Sequence, residues 1–458
     1  MGPPRIDRKL RDRLNKAGDA IVKTIRKVPK KGPTTPKGGY RPDRPGKTLV
    51  LDDRGIDKLT VPVHKGEDFL GLEFFREKKR FIIPAESVDR LQGIVDELRT
   101  ISDLKSHVSW GTFWNCATEW VKDKHRGRTT EGFVENLLEV AEKSIAEYES
   151  CVPILHLSVE VPIKVGPVVI VPLESEFFDR MDLQLSQNIY AEPSQVEGFV
   201  EKNRKRFQGF SAAIIETTAD KEVSNQIGSL AAQWAVDCLL FFSPAILDPT
   251  MTPKVEAFNL NPGLGMCSFL FKDGKAVSSG ETMAGRGRFA WKVPRKECKK
   301  MEDRVKAIAS LYFEVSEVPF RQEVLQAFRW YLKMPKTDLL YQKLVYAMMA
   351  VEALLHKDRN EEIRKMWPRF ASILANNQAE YDKNVKFGRD IYDVRSRLLH
   401  HGEDVEDIEK VKEFLELVYS FMTKVLDASK RFTTKQEFLA SIKDVVPKHH
   451  RPRRSRKA

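Results

Sequence analysis

Apolar and polar positions alternate in three stretches after residue 57, KLTVPVH, FLGLEFF and RFIIP, and the last two are joined by the charged turn REKK, so three strands are predicted. Upstream, Leu10, Leu14, Ile21 and Ile25 recur at helical spacing over residues 9–28, and the Pro- and Gly-rich stretch KVPKKGPTTPKGGYRPDRPGK reads as a linker. Downstream the period lengthens. Pro84-Ala-Glu-Ser opens a helix with core positions Val88, Leu91, Ile94, Val95 and Leu98, and further helices are expected near 110–122 and 130–149. The stretches HLSVEVP and PVVIVPL flank Lys164-Val-Gly and suggest a hairpin. A mixed segment follows, with a helix at 194–206, the strand FSAAIIETT, a helix near 220–243, and a hairpin turning at Lys272-Asp-Gly274. Residues 49–330 therefore read as an α+β region of one or two domains.

Beyond Pro335 the pattern is helical throughout, and an all-α bundle is expected over 335–445. Asp338 is positioned to cap a helix running to His356 that is apolar almost all the way round and so should be buried. Helices at 361–376 and 380–400 come next. Phe387, Ile391, Val394 and Leu398 form one apolar stripe on the second of these, and Gly402 is placed to stop it. A long amphipathic helix at 405–430 and a short one near 434–443 complete the bundle.

Composition narrows the class. A chain of 458 residues exceeds one ordinary core, so two or three domains are expected. The 41% hydrophobic content, with 7 Trp and 26 Phe, excludes disorder throughout. Five scattered cysteines, with no CxxC pair, argue against a disulfide framework or a finger-type zinc site. The most apolar run, Ala235 to Leu247, contains Asp237 and is too short to span a bilayer, and the N-terminus has no apolar stretch of signal type. A soluble, cytoplasmic protein without membrane contact is expected. The net charge of +12 is uneven: residues 1–47 hold 15 Lys/Arg against four Asp, and residues 448–458 hold six Lys/Arg and no acid. The body between them carries 56 basic and 61 acidic residues. Residues 1–48 thus read as a basic disordered tail and linker, and 446–458 as a basic C-terminal tail. Such tails either attract nucleic acid without reading its sequence or simply aid solubility.

Motifs for chemistry are few. Gly285-Arg-Gly-Arg288 is glycine-rich but no GxxxxGK[ST] occurs, so a phosphate loop is unsupported. No HExxH and no GxSxG is present, and neither a cofactor nor a metal is expected. The informative stretch is Ile391-Tyr-Asp-Val-Arg-Ser-Arg-Leu-Leu-His-His-Gly402. Arg395 flanks the apolar stripe, and on an ideal helix Arg395 and His400 differ by about 140°, so they do not share a face. His400 falls in the last turn, where the negative end of the helix dipole favours a cation and a proton-shuttling imidazole is chemically sensible. From spacing alone the same two residues more often serve only to solvate or cap a helix end.

In its order of features, the region 337–430 resembles an Apea-like member of the HEPN superfamily. Val351-Glu-Ala-Leu-Leu355 stands for the family's buried core segment. Tyr392, Arg395-Ser396 and His400 then follow at the family's spacing, ahead of an acidic stretch and a long helix. One departure is that His401 intervenes before Gly402. His400 keeps the Arg-to-His spacing, whereas His401 keeps the His-Gly adjacency. The resemblance implies a metal-independent endoribonuclease that works as a homodimer on RNA, with Arg395 and His400 catalytic, in a setting such as stress or antiphage defence. Under it, 49–330 would sense a trigger or position RNA. It also implies supporting roles: Ser396 to orient the Arg or touch phosphate, and Tyr392 to stack on a base or simply to pack. Glu352, in an apolar helix, either pairs with Arg395 or faces water at the helix edge. The alternative is a non-catalytic HEPN module for dimerisation or RNA binding.

Overall fold

The computed structural model describes residues 6–28, 60–65, 68–76, 79–186, 193–252, 255–257, 268–272, 275–280, 291–314, 316–358, 361–401 and 407–443. Most of the linker, the C-terminal tail, Gly285-Arg-Gly-Arg288 and Gly402 lie outside the described residues. The chain divides into two compact units, Met1–Tyr148 with Thr217–Gln226, and Glu149–Glu216 with Ile227–Ala458.

In the first unit α1 (Arg8–Thr24) leads into β1 (Arg26–Lys27), followed by β2 (Thr60–Lys65), β3 (Asp68–Arg76) and β4 (Lys79–Pro84). These strands form an antiparallel sheet in the order β1-β4-β3-β2. The three helices α2 (Ala85–Ile101), α3 (Trp110–Arg126) and α4 (Phe133–Lys143) follow. Leu14 and Ile21 of α1 are buried in one core with Phe74, Ile83, Leu91, Trp120 and Leu137. The expected disordered tail over residues 1–48 is thus corrected for 8–24: the helix is amphipathic enough to bury its apolar stripe while its Lys and Arg stay in water. Gly71 is required by sterics, since at φ 141° a Cβ would lie 2.0 Å from the Ile83 carbonyl oxygen.

Asp220 organises the segment 217–226. It accepts hydrogen bonds from Ser109 N (2.7 Å), Thr112 Oγ1 (2.6 Å) and Val223 N (2.8 Å). Burial alone would raise its carboxyl, but these bonds hold it below the usual carboxylate range.

The helix expected over 130–149 ends at Lys143, because β5 (Ala146–Leu155) begins three residues later with the strand formers Tyr148, Val152 and Ile154. β6 (Leu157–Val159), β7 (Ile163–Val165), β8 (Val168–Pro172), α5 (Ser175–Ser186), α6 (Pro193–Phe207), β9 (Ser211–Ala219) and α7 (Lys221–Leu240) come next. Then come β10 (Glu256–Ala257), β11 (Ser268–Lys272), β12 (Lys275–Gly280) and β13 (Trp291–Val293). The main sheet runs β12-β11-β5-β9-β8-β7, with β10 on β5. β11 and β12 pair antiparallel with Lys272 opposite Lys275; the expected turn residues Asp273 and Gly274 lie outside the described residues. The hairpin around Lys164 is tighter than expected: Ile163 pairs with Ile170 and Lys164 with Val169, while β6 pairs in parallel with β13 instead.

Helix dominates from Arg295, earlier than the Pro335 boundary. α8 (Arg295–Phe313), α9 (Pro319–Tyr331), α10 (Leu340–Leu355), α11 (Met366–Leu374), α12 (Gln378–His401), α13 (Ile408–Ala428) and α14 (Lys435–Lys443) complete the chain. An α+β part is therefore followed by helices. The division at 330–335 does not match the core, however. Ile170 and Ala235 share one buried cluster with Phe328, Met348, Trp367 and Phe421. Asp338 is not the cap of α10. Leu339 occupies that position, and its own N–H is met by Thr337 Oγ1 at 3.3 Å.

One contact sets the spacing of α11 and α12. A Cβ built on Gly388 would lie 2.2 Å from the Trp367 ring, and Trp367 is fully buried. Gly388→Ala should therefore cost about 1–3 kcal/mol despite alanine's better helix propensity. Gly93→Ala on α2, where nothing lies within 4 Å, should be neutral or stabilising by up to about 1 kcal/mol. Thermal and urea unfolding of the two variants checks the contrast.

Candidate active site

α10 brings Glu352 to its last turn, and α12 brings Tyr392, Arg395 and Ser396 within three turns of its end. Both helices are held by apolar packing: Val351, Leu354 and Leu355 are buried on one, Ile391 on the other, with Phe387, Tyr392 and Val394 packed against the same core. The outcome is that Arg395 Nη1 lies 3.4 Å from Glu352 Oε1, with side chains 19% and 21% exposed. The carboxylate in the apolar helix thus pairs with the Arg and does not simply face water. The pair is loose. Glu352 Oε1 and Arg395 Nε are both buried, yet neither has a hydrogen-bond partner.

His400 and His401 occupy the final turn of α12, where their backbone is helical; their side chains lie outside the described residues. Ser396 is half-buried and makes no side-chain hydrogen bond among the described residues. Among those residues, no three His, Cys, Asp or Glu side chains are grouped to hold a metal ion. No helix there is long and apolar enough to cross a membrane.

The end of α10 is fixed by cations from two other helices. Arg369 Nη1 on α11 donates to the Leu355 carbonyl at 2.7 Å, and Lys435 Nζ on α14 donates to the Ala353 carbonyl at 2.7 Å. Both satisfy carbonyls that a helix C-terminus leaves open, at the end where positive charge is favoured. Arg369 also forks onto Glu361, with two bonds of 2.6 Å, and Glu361 accepts from Lys357 N at 2.7 Å. Beside this clamp, His356 keeps its Nε2 buried without a partner. The sequence pattern assigned no role at the site to Arg369, Glu361, Lys435 or His356. Arg369 and Lys435 reach the end of α10 from 14 and 82 residues away, on other helices, so no local pattern announces them.

A hollow of about 330 Å³ opens one turn before Arg395, lined by Trp367, Arg389, Tyr392 and Asp393. Of these only Tyr392 was expected at the site. Arg389 and Asp393 are exposed and form no ion pair or hydrogen bond among the described residues.

The clamp has a pH signature. Hydrogen bonding from Arg369 holds the Glu361 carboxyl down at about 2, below its ordinary value near 4.5. A group depressed in the folded state stabilises above its unfolded pKa and loses that stabilisation as pH falls through the folded one. The contribution, on the order of 2–3 kcal/mol, should therefore be intact at pH 6 and fade between pH 4.5 and 2. Glu361→Gln should lower stability at pH 6 and flatten the slope of stability between pH 5 and 2 in urea titrations. Compared with protein-family models, curated proteins and solved structures, the chain has no significant match in any of the three.

Proposed function

We propose that the protein is a metal-independent endoribonuclease of HEPN type, acting as a homodimer in which two copies of the Arg395/His400 motif meet. The observation that carries this reading is the Glu352–Arg395 ion pair at 3.4 Å, with Arg395 Nε and Glu352 Oε1 buried and without a hydrogen bond. An unmet buried donor is costly, and Arg99 and Arg204 each carry one too; what sets Arg395 apart is its loose hold on Glu352 just before two histidines. Here a carboxylate holds the guanidinium by one corner and leaves hydrogen-bonding capacity unused, in the turn before two histidines. A phosphate is the natural claimant for a guanidinium fork.

In this reading the ribose 2′-oxygen attacks the adjacent phosphorus and the bond from phosphorus to the 5′-oxygen breaks. One imidazole takes the 2′-hydroxyl proton, and the imidazolium of the other protomer protonates the departing 5′-oxygen. Arg395 stabilises charge building on the phosphoryl oxygens. The ends are a 2′,3′-cyclic phosphate and a 5′-hydroxyl. Glu352 acts through Arg395, as a positioning residue. The resemblance places such an activity in stress or antiphage defence, with the α+β part sensing a trigger or positioning RNA and the basic tails adding contacts to it. The second reading is a non-catalytic module for dimerisation or RNA binding. Arg389, exposed and without an ion pair among the described residues, favours it as much as it favours an enzyme.

RNA cleavage by the full chain in EDTA tests the proposal. Wild type should leave cyclic phosphate ends. His400→Ala should reduce the rate by about 10²–10⁴-fold and Arg395→Ala by about 10²–10³-fold. His401→Ala should have the smaller effect of the two histidine variants. Intact dimers that bind RNA and never cleave it would replace the enzyme with the binding module.

A further inference from the structure

We infer that the hollow lined by Trp367, Tyr392, Arg389 and Asp393 is a nucleobase subsite, holding one base next to the phosphate that Arg395 faces. The inference takes its substrate class from the ribonuclease reading, but its geometry stands apart from Arg395 and the histidines.

Size comes first. About 330 Å³ is at the small end of ligand pockets, which span about 300–1,000 Å³ and usually combine apolar walls with a few polar groups. Of the two aromatic lining residues, Trp367 is fully buried and covered by Gly388, so Tyr392 alone supplies a face on which a base can stack, whatever its sequence. Tyr392 is part-buried and packed against the core on one side, so its ring is held in place.

The polar groups are unspent. Trp367 is fully buried and yet its indole Nε1 has no acceptor. Indole N–H groups in protein interiors usually find one. Arg389 and Asp393 are four residues apart on α12, a spacing at which opposite charges normally meet, but no ion pair forms between them. Tyr392 also makes no hydrogen bond among the described residues. A cation and a carboxylate thus flank Tyr392 at one hollow, each without an ion pair or hydrogen bond among the described residues.

Position completes the argument. Tyr392 precedes Arg395 by three residues and therefore lies one turn away, about 4.5 Å along the helix axis. That is a short step, suited to a base and its neighbouring phosphate. A carboxylate only accepts, and among the four RNA bases guanine alone offers it two adjacent N–H groups, so Asp393 should favour guanine.

Calorimetric titration of the full chain with each of the four 5′-mononucleotides tests the subsite without requiring cleavage. Guanosine monophosphate should bind best. Asp393→Asn should weaken it about 10-fold and remove the preference over the other three, and Tyr392→Leu should weaken all four. Lys383→Ala, an exposed site on the same helix paired with Glu413, should leave binding unchanged. Thermal unfolding of each variant confirms that it is folded. If no mononucleotide binds, or if Asp393→Asn binds all four as wild type does, the subsite is overturned. Binding without RNA cleavage would retain the subsite and remove the ribonuclease reading; cleavage without mononucleotide binding would do the reverse.

Discussion

A helix that stops inside a protein leaves its last carbonyls without partners, and everything at this site depends on how α10 meets that constraint. Lys435 and Arg369 reach in from α14 and α11 to take the Ala353 and Leu355 carbonyls. Both are cations at the negative end of the helix dipole, so one contact answers the hydrogen-bond demand and the charge together. Arg369 is held in turn by the two-pronged bond to Glu361. Burial pushes the Lys435 ammonium below its ordinary value, with Glu323 opposing that shift. Because these groups hold the final turn of α10, Glu352 is presented at a fixed place.

The opposing wall is positioned by packing and not by charge. Gly388 lets α12 lie directly on the Trp367 ring, and the same helix buries Ile391 in the core. With the two helices set in this way, Arg395 meets Glu352 side by side at 3.4 Å without an aligned hydrogen bond. A part-buried ion pair of this kind adds little to stability, since desolvation cancels most of the attraction. Its use is to aim the guanidinium. Trp367 serves both jobs, as the packing surface for Gly388 and as one wall of the hollow beside Tyr392.

The first unit solves a comparable problem by different means. Asp220 is buried and still ionised more readily than usual, because Ser109, Thr112 and Val223 all donate to it. One carboxylate thereby caps one helix and ties the segment 217–226 to the start of α3. In the same unit α1 shows why charge alone misleads. Its surface is rich in Lys and Arg, but Leu14 and Ile21 bury one face.

Local chemistry determined much of this protein. Period-two and helical patterns located β2, β3 and β4, the pairing of β11 with β12, and helices α10 to α14, because burial of one face forces that spacing on any sequence. The order Glu352, Tyr392, Arg395, His400 was also legible, since it lies within two helices. The strand at Ala146, the early start of the helical part at Arg295 and the continuous core joining Ile170 to Phe421 were decided only by tertiary packing. So were the partners of Glu352 and of the Leu355 carbonyl, and the gathering of Trp367 with Arg389 and Asp393. Those contacts join residues that are distant along the chain or on neighbouring helices. A pattern of spacing fixes which face of a helix is buried, but the neighbour that the face meets is set by how the helices pack.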